Sequence, residues 1–147
     1  MNPRDRVVRE LASDVSTIEQ AVEDFVEWCA GSCRDRKRLL LNFRVGLTEA
    51  LSNAMLYGNA DDPAKTVRVE LRIAAGDLKV KVTDQGRGFD PRLTPDPRTP
   101  ANLTKGAGRG IFLMRQLMDE VHFNAVGNSV TLVLREIAHP GGAGHLG

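Results

Sequence analysis

The chain has 147 residues, 41% of them hydrophobic and 27% charged, with a formal net charge of +1. That length suits one domain with a full core, and the composition is ordinary for a globular protein. The near-zero charge gives no overall electrostatic footprint for nucleic acid or anionic membrane, and no apolar run approaches the roughly 18 residues that cross a bilayer.

From the N-terminus, Met1 to Arg6 is not followed by an uninterrupted apolar segment, so no signal peptide is expected. Arg6 to Ala12 reads as a short strand. Ser13 or Asp14 then caps a helix in which Ile18, Val22, Phe25, Val26 and Cys29 recur at helical spacing as far as Ala30. Gly31 ends that helix, and Trp28 is read as packing. Cys29 and Cys33 have no second pair, and the histidines lie far off in sequence, so reduced structural thiols in a cytosolic helix are expected. Asp35 opens a second, longer helix that Gly58 and Asn59 close, and Asp61-Asp62-Pro63 makes a turn. Val67, Val69, Leu71 and Ile73 alternate with charged residues, as do Leu78, Val80 and Val82, with Gly76-Asp77 as the hairpin turn between them. One apolar and one charged face is the pattern of an antiparallel sheet covered by helices on one side. Val121 to Val126 and Val130 to Ile137 read as two further strands joined at Gly127-Asn128. Residues 138–147 have too little to bury and are expected to be a disordered tail.

Three stretches carry the chemistry. On the second helix, Glu49 and Asn53 lie one turn apart, with Asn42, Gly46 and Tyr57 beside them. They face away from Leu40, Phe43, Leu47, Leu51 and Ala54, the expected core positions. Such a face is either solvated or open to something that approaches closely. Asp84 has the parity of Leu78, Val80 and Val82, so it is expected on the buried side of the sheet. An unpaired carboxylate there costs about 3–5 kcal/mol, and its partner is either a backbone amide or a ligand. Gly86 and Gly88 leave room for a flat molecule. Asp90 to Ala107 contains Pro91, Pro95, Pro97 and Pro100 with little apolar periodicity, as in a lid or a disordered loop. It leads into Thr104-Lys105-Gly106-Ala107-Gly108-Arg109-Gly110, ahead of a helix with Ile111, Met114, Leu117 and Met118 on one face. Glycines ahead of a helix expose N–H groups and the positive dipole end to phosphate; they also serve as a hinge. No Gly-Lys-Ser/Thr opens the helix, so the pattern is not a P-loop.

In this order, Glu49-x-x-x-Asn53, Asp84-x-Gly86-x-Gly88 and Gly106-x-Gly108-x-Gly110 resemble the N, G1 and G2 boxes of the GHKL ATPase/kinase superfamily. Within it the chain is most similar to the small anti-sigma factor serine/threonine kinases of bacteria, through Thr48 to Ala54 and Gly108 to Val121. The resemblance implies an α/β (α+β) fold of the Bergerat type: a two-layer sandwich of a mixed, mainly antiparallel sheet with helices on one face. Residues 1–137 would form that single ATP-binding domain. It implies ATP and Mg²⁺ as cofactors, with Asn53 as the metal ligand through its amide oxygen. Asp84 would accept the adenine amino group, with Gly86 and Gly88 letting the base lie against the backbone. Gly106, Gly108 and Gly110 would face the phosphates, with Lys105 or Arg109 at the γ-phosphate and Thr131 near the adenine. Glu49 would be the general base acting on a serine hydroxyl of an anti-anti-sigma (STAS-type) partner. A sigma factor is the second partner implied; a cytoplasmic protein with no direct nucleic-acid or membrane contact is expected, and a homodimer is allowed.

The chain departs from the family at Gly106, where an arginine is frequent, at Tyr57, where a histidine is common, and at Val130, which replaces a glycine. Sensor histidine kinases share the boxes but need an accepting histidine in a helical segment, whereas His122, His139 and His145 all lie late in the chain. The larger members of the superfamily need further domains. Beside the kinase there stands one other reading: a nucleotide-dependent regulatory binding protein of the same fold that transfers no phosphate.

Overall fold

The computed structural model describes residues 6–87 and 105–139, with side chains from Gly108 onward in the second stretch. Gly88, most of the expected lid and the tail from Pro140 lie outside the described residues. Among the described residues five strands form one sheet: β1 (Arg6–Ala12), β2 (Thr66–Ala74), β3 (Asp77–Thr83), β4 (Glu120–Phe123) and β5 (Ser129–Leu134). Their order is β1-β2-β3-β5-β4, and every pairing is antiparallel. Alternation sets the two faces. Val67, Val69, Leu71, Ile73, Leu78, Val80 and Val82 are buried, while Arg68, Arg72, Lys79 and Lys81 between them are exposed. Helices α1 (Ile18–Ala30), α2 (Arg36–Arg38), α3 (Arg44–Asn53) and α4 (Lys105–Leu117) accompany the sheet. Apolar side chains of α1, α3 and α4 share one core with its apolar face, the two-layer sandwich expected. Among the described residues no helix is long and apolar enough to cross a membrane.

β2 and β3 are joined by Ala75-Gly76, with φ of 53° and 85°. The turn therefore sits one residue earlier than Gly76-Asp77, because Asp77 already pairs with Ala74. Two successive positive φ values give the tight turn that follows the strand twist. Other boundaries follow side-chain chemistry. The Asp14 carboxylate accepts the Ser16 N–H at 3.0 Å before α1, and the Asp35 carboxylate accepts the Arg38 N–H at 3.1 Å at the start of the second helical run.

That run, residues 36–58, is continuous but not uniform. It widens into π-helical turns at Leu39–Phe43, between α2 and α3, and at Ala54–Gly58, after α3. Leu39, Phe43, Leu47, Leu51 and Met55 are all at most 1% exposed. On a uniform α-helix, positions four apart advance about 40° each time, so the last of these would stand about 160° from the first. The wide turns absorb that drift and keep all five in the core. They also overturn one expectation: Leu40 is 38% exposed, and Leu39 takes its place inside.

Residues 137 and 138 are fastened to the segment after α1 and to the β2–β3 turn. Cys33 bridges Ala138, and the Gly76 carbonyl accepts the N–H groups of both Ile137 and Ala138 at 3.0 Å. Ala138, read from sequence as the start of the tail, is buried here. Cys29 and Cys33 are free thiols, and burial pushes both upward in pKa, which favours the protonated form.

The π-helical phase is testable. We predict that Leu39→Ala costs about 2–5 kcal/mol of stability and Leu40→Ala within about 0.5 kcal/mol, compared by urea unfolding. Equal costs would show that the helix keeps α-helical phase in solution.

Candidate functional site

A cavity of about 600 Å³ opens where the second helical run, α4 and the ends of β3 and β5 converge. Its volume is that of a small-molecule site. Val82, Ile111, Met114 and Val130 form apolar walls, and Asn53, Tyr57, Lys65, Asp84 and Arg87 bring polar groups to it.

Asp84 organises the polar end. It follows β3 at core parity, and its backbone N–H donates to the Asn128 carbonyl at 2.9 Å. One carboxylate oxygen, Oδ1, accepts the Gly86 N–H at 2.7 Å, which is the backbone-amide partner considered for it. The other lies against Gly58, where a Cβ would overlap the carboxylate. A Cβ on Gly86 would overlap the Gly58 carbonyl. Both positions therefore have to be glycine for the chain segments to meet. Burial raises the Asp84 carboxyl above its ordinary value, opposed by the Gly86 N–H and by the charge of Lys65.

Asn59 holds this arrangement from behind. It is fully buried; its Nδ2 donates to the Thr66 carbonyl at 3.0 Å, and its Oδ1 accepts the Gln85 N–H at 2.7 Å. Sequence reading gave Asn59 only the role of closing a helix. Gly58 has the same helix-closing role in that reading, and Lys65 and Ser129, which share the cavity lining with Gly58, have none. The available signal was Asp84 itself, since a carboxylate at core parity requires small or polar neighbours.

The other residues from the three motifs divide. Asn53 lies on the cavity wall; a Cβ on Gly110 would stand 3.0 Å from its amide, so α4 approaches α3 closely there. Glu49, one turn earlier, is half-buried and off the cavity lining. Gly106, Gly108 and Gly110 fall inside α4, not ahead of it. The helix overcomes about 1 kcal/mol of unfavourable propensity per glycine because Ile111 and Met114 anchor it in the core. The N–H groups of Gly108 and Gly110 then fall in the helical ladder, leaving that of Gly106 in the open first turn. Arg109 is exposed and outside the lining, and the side chain of Lys105 is not among those described. Thr131 pairs with Lys81 and His122 and is not on the lining. Ser129 is on the lining, and its Oγ is 3.1 Å from Thr83 Oγ1.

Residues 8–134 match the histidine kinase-like ATPase domain, and the chain belongs to that family. It is 28% identical over 98 residues to an anti-sigma F factor of Anoxybacillus flavithermus, covering 64% of this chain and 66% of that protein. It is 32% identical over 88 residues to a serine-protein kinase RsbW of Bacillus licheniformis, covering 55% of each. With an anti-sigma F factor of Geobacillus stearothermophilus the identity is 30% over 104 residues, covering 68% of this chain and 70% of that protein. The chain spans about half to two thirds of the length of the first relatives it matches. The superfamily resemblance read from the three motifs is thus borne out.

The raised carboxyl of Asp84 sets a pH dependence. The folded state holds this proton more tightly than the unfolded state. The stability it contributes is complete below the unfolded value and is lost as pH rises through the folded one. Asparagine has no such proton. We predict that Asp84→Asn gains stability relative to wild type as pH rises from roughly 3 to 7, followed by unfolding midpoints. Parallel stability curves for the two proteins would refute a raised carboxyl.

Proposed function

We propose that the cavity binds ATP with Mg²⁺. In this reading the protein is a cytoplasmic anti-sigma factor serine/threonine kinase, which phosphorylates a serine of an anti-anti-sigma (STAS-type) partner and sequesters a sigma factor. The family, and relatives named anti-sigma F factor and serine-protein kinase RsbW, support this. The observation that carries it is Asp84 beside two obligatory glycines in a cavity of nucleoside size. One carboxylate oxygen is engaged by Gly86, and the carboxylate has acceptor capacity for an amino group on a flat base. Gly58 and Gly86 keep the approach clear of side chains.

Asn53 would offer its amide oxygen to Mg²⁺. Among the described residues no group of three or more His, Cys, Asp or Glu is disposed to hold a metal. Mg²⁺ needs no such cage, since it keeps several waters and shares substrate phosphates. The open N–H groups and dipole at the start of α4 suit a polyphosphate. ATP supplies the phosphoryl group. Glu49 takes the proton of the serine hydroxyl. A second reading, regulatory binding without phosphotransfer, is favoured by Glu49 and Arg109 standing off the cavity lining.

Incubation with ATP, Mg²⁺ and an anti-anti-sigma (STAS-type) protein from the same genome is expected to yield phosphoserine on that partner. Absence of phosphoserine alongside intact ATP binding would select the second reading. We predict that Glu49→Gln keeps ATP binding within a few-fold and slows transfer by roughly 10²–10⁴; unchanged turnover would remove Glu49 from the mechanism. We also predict that Asp84→Asn weakens ATP binding by about 1–3 kcal/mol, and that wild type binds GTP poorly because guanine carries a carbonyl where adenine carries its amino group. Equal calorimetric affinities for ATP and GTP would be incompatible with this role for Asp84.

A further inference from the structure

The face of the sheet turned away from the helices concentrates positive charge. Strand register sets Arg6 directly opposite Arg72, and Arg72 directly opposite Lys79, so three cations stand side by side across β1, β2 and β3. In the next row of the same face Lys81 is opposite Glu70, and Arg68 lies in the row after that. All five cations are exposed. Glu70 is the carboxylate between them, at 2.8 Å from Arg68 and 4.0 Å from Arg6. On the same face Asp77 lies one row beyond Lys79, and Glu120 lies two strands from Lys79 in its own row, bounding the patch on those sides. Glu10, opposite Arg68, marks the end of the patch. Among the described residues no ion pair neutralises Arg72, Lys79 or Lys81. Like charges directly opposite one another destabilise a sheet, and a merely solvated face does not require that arrangement. The net charge of +1 conceals the patch because acids gather elsewhere, as at Glu19, Asp24 and Glu27 on α1.

We propose that this face docks an acidic segment of another protein. The rest of this chain does not supply the counter-charge. Residues 1–5 pair Arg4 with Asp5, residues 88–104 balance Asp90 and Asp96 with Arg92 and Arg98, and residues 140–147 contain no acid. A second copy meeting face to face brings the same cations and is repelled. A second copy laid head to tail, α1 on sheet, makes a contact that does not close and grows into filaments unless the rotation completes a ring. Nucleic acid suits the face poorly, because Glu70 and Glu10 interrupt it and β1, β2 and β3 carry no aromatic side chain for stacking. The surface lies on the opposite side of the sheet from the cavity and does not depend on nucleotide binding.

The test uses the whole protein and a fluorescent Glu-Ser repeat peptide, followed by anisotropy. A Gln-Ser peptide of the same length and a single-stranded DNA of equal charge serve as competing probes. The acidic peptide is expected to bind best of the three, with an affinity that falls as salt is added. Arg72→Gln with Lys79→Gln is expected to weaken it roughly five- to tenfold while unfolding at an equal or higher midpoint, since opposed charges are relieved. Arg36→Gln with Lys37→Gln, exposed on α2, is expected to leave binding within about twofold. The proposal is overturned if the Gln-Ser peptide or the DNA binds as well as the acidic peptide, or if both double variants weaken binding equally. Sedimentation showing self-association that the Arg72/Lys79 variant abolishes would also overturn it, by assigning the face to another copy.

Discussion

Three chain segments meet through one closed ring of hydrogen bonds. Asn59 donates to the Thr66 carbonyl and accepts from the Gln85 N–H, while the Gln85 side chain accepts the Thr66 N–H at 2.7 Å. The end of the second helical run, the start of β2 and the turn after β3 are thereby locked together. A buried donor or acceptor left unmatched costs about 1–3 kcal/mol, so the fully buried Asn59 does not move alone. Everything at the polar end of the cavity rests on this. Gly58 precedes Asn59 and Asp84 precedes Gln85, and the contact between Gly58 and the Asp84 carboxylate exists because their neighbours are fastened.

Much of the architecture was legible in the residue pattern. Strict alternation in β2 and β3 marks a sheet with one wet face, and the spacing from Ile18 to Cys29 marks α1, because both depend on local periodicity that burial then rewards. The errors arose where local geometry departs from the ideal repeat. Leu40 was assigned to the core by counting 3.6 residues per turn through a run that contains π-helical turns, which no residue type announces. The β2–β3 turn shifted by one residue because Ala75 adopts φ of 53°, a conformation read from sequence as glycine's.

The cavity was legible in part for a different reason. Asp84 stood out because a carboxylate at core parity is costly, and that argument requires only the strand alternation. Asn59, Gly58 and Ser129 did not stand out because their importance comes from tertiary contacts. Gly58 matters for what Asp84 would strike, and Ser129 for the Thr83 hydroxyl across the strand pair. Thr131 was chosen from resemblance, and strand register sets it beside Lys81 and His122. The glycines at 106, 108 and 110 suggested a loop by propensity, but Ile111 and Met114 bury themselves and draw the helix back over them.

The wide turns of the second helical run bear on how this protein can change over evolutionary time. Helices commonly absorb the loss or gain of a residue at their exposed ends. Here a deletion within residues 54–58 would let the wide turn relax into an ordinary one with little change of phase, whereas a deletion within residues 44–53 would leave the helix unbroken yet rotate every position beyond it by about 100°. Gly58 would swing away from Asp84, and Asn59 would lose both partners. The helix would survive while the cavity did not. Sequence length is therefore constrained more tightly in this regular element than in the turn at residues 60–65 that follows it, the reverse of the usual expectation for helices and loops.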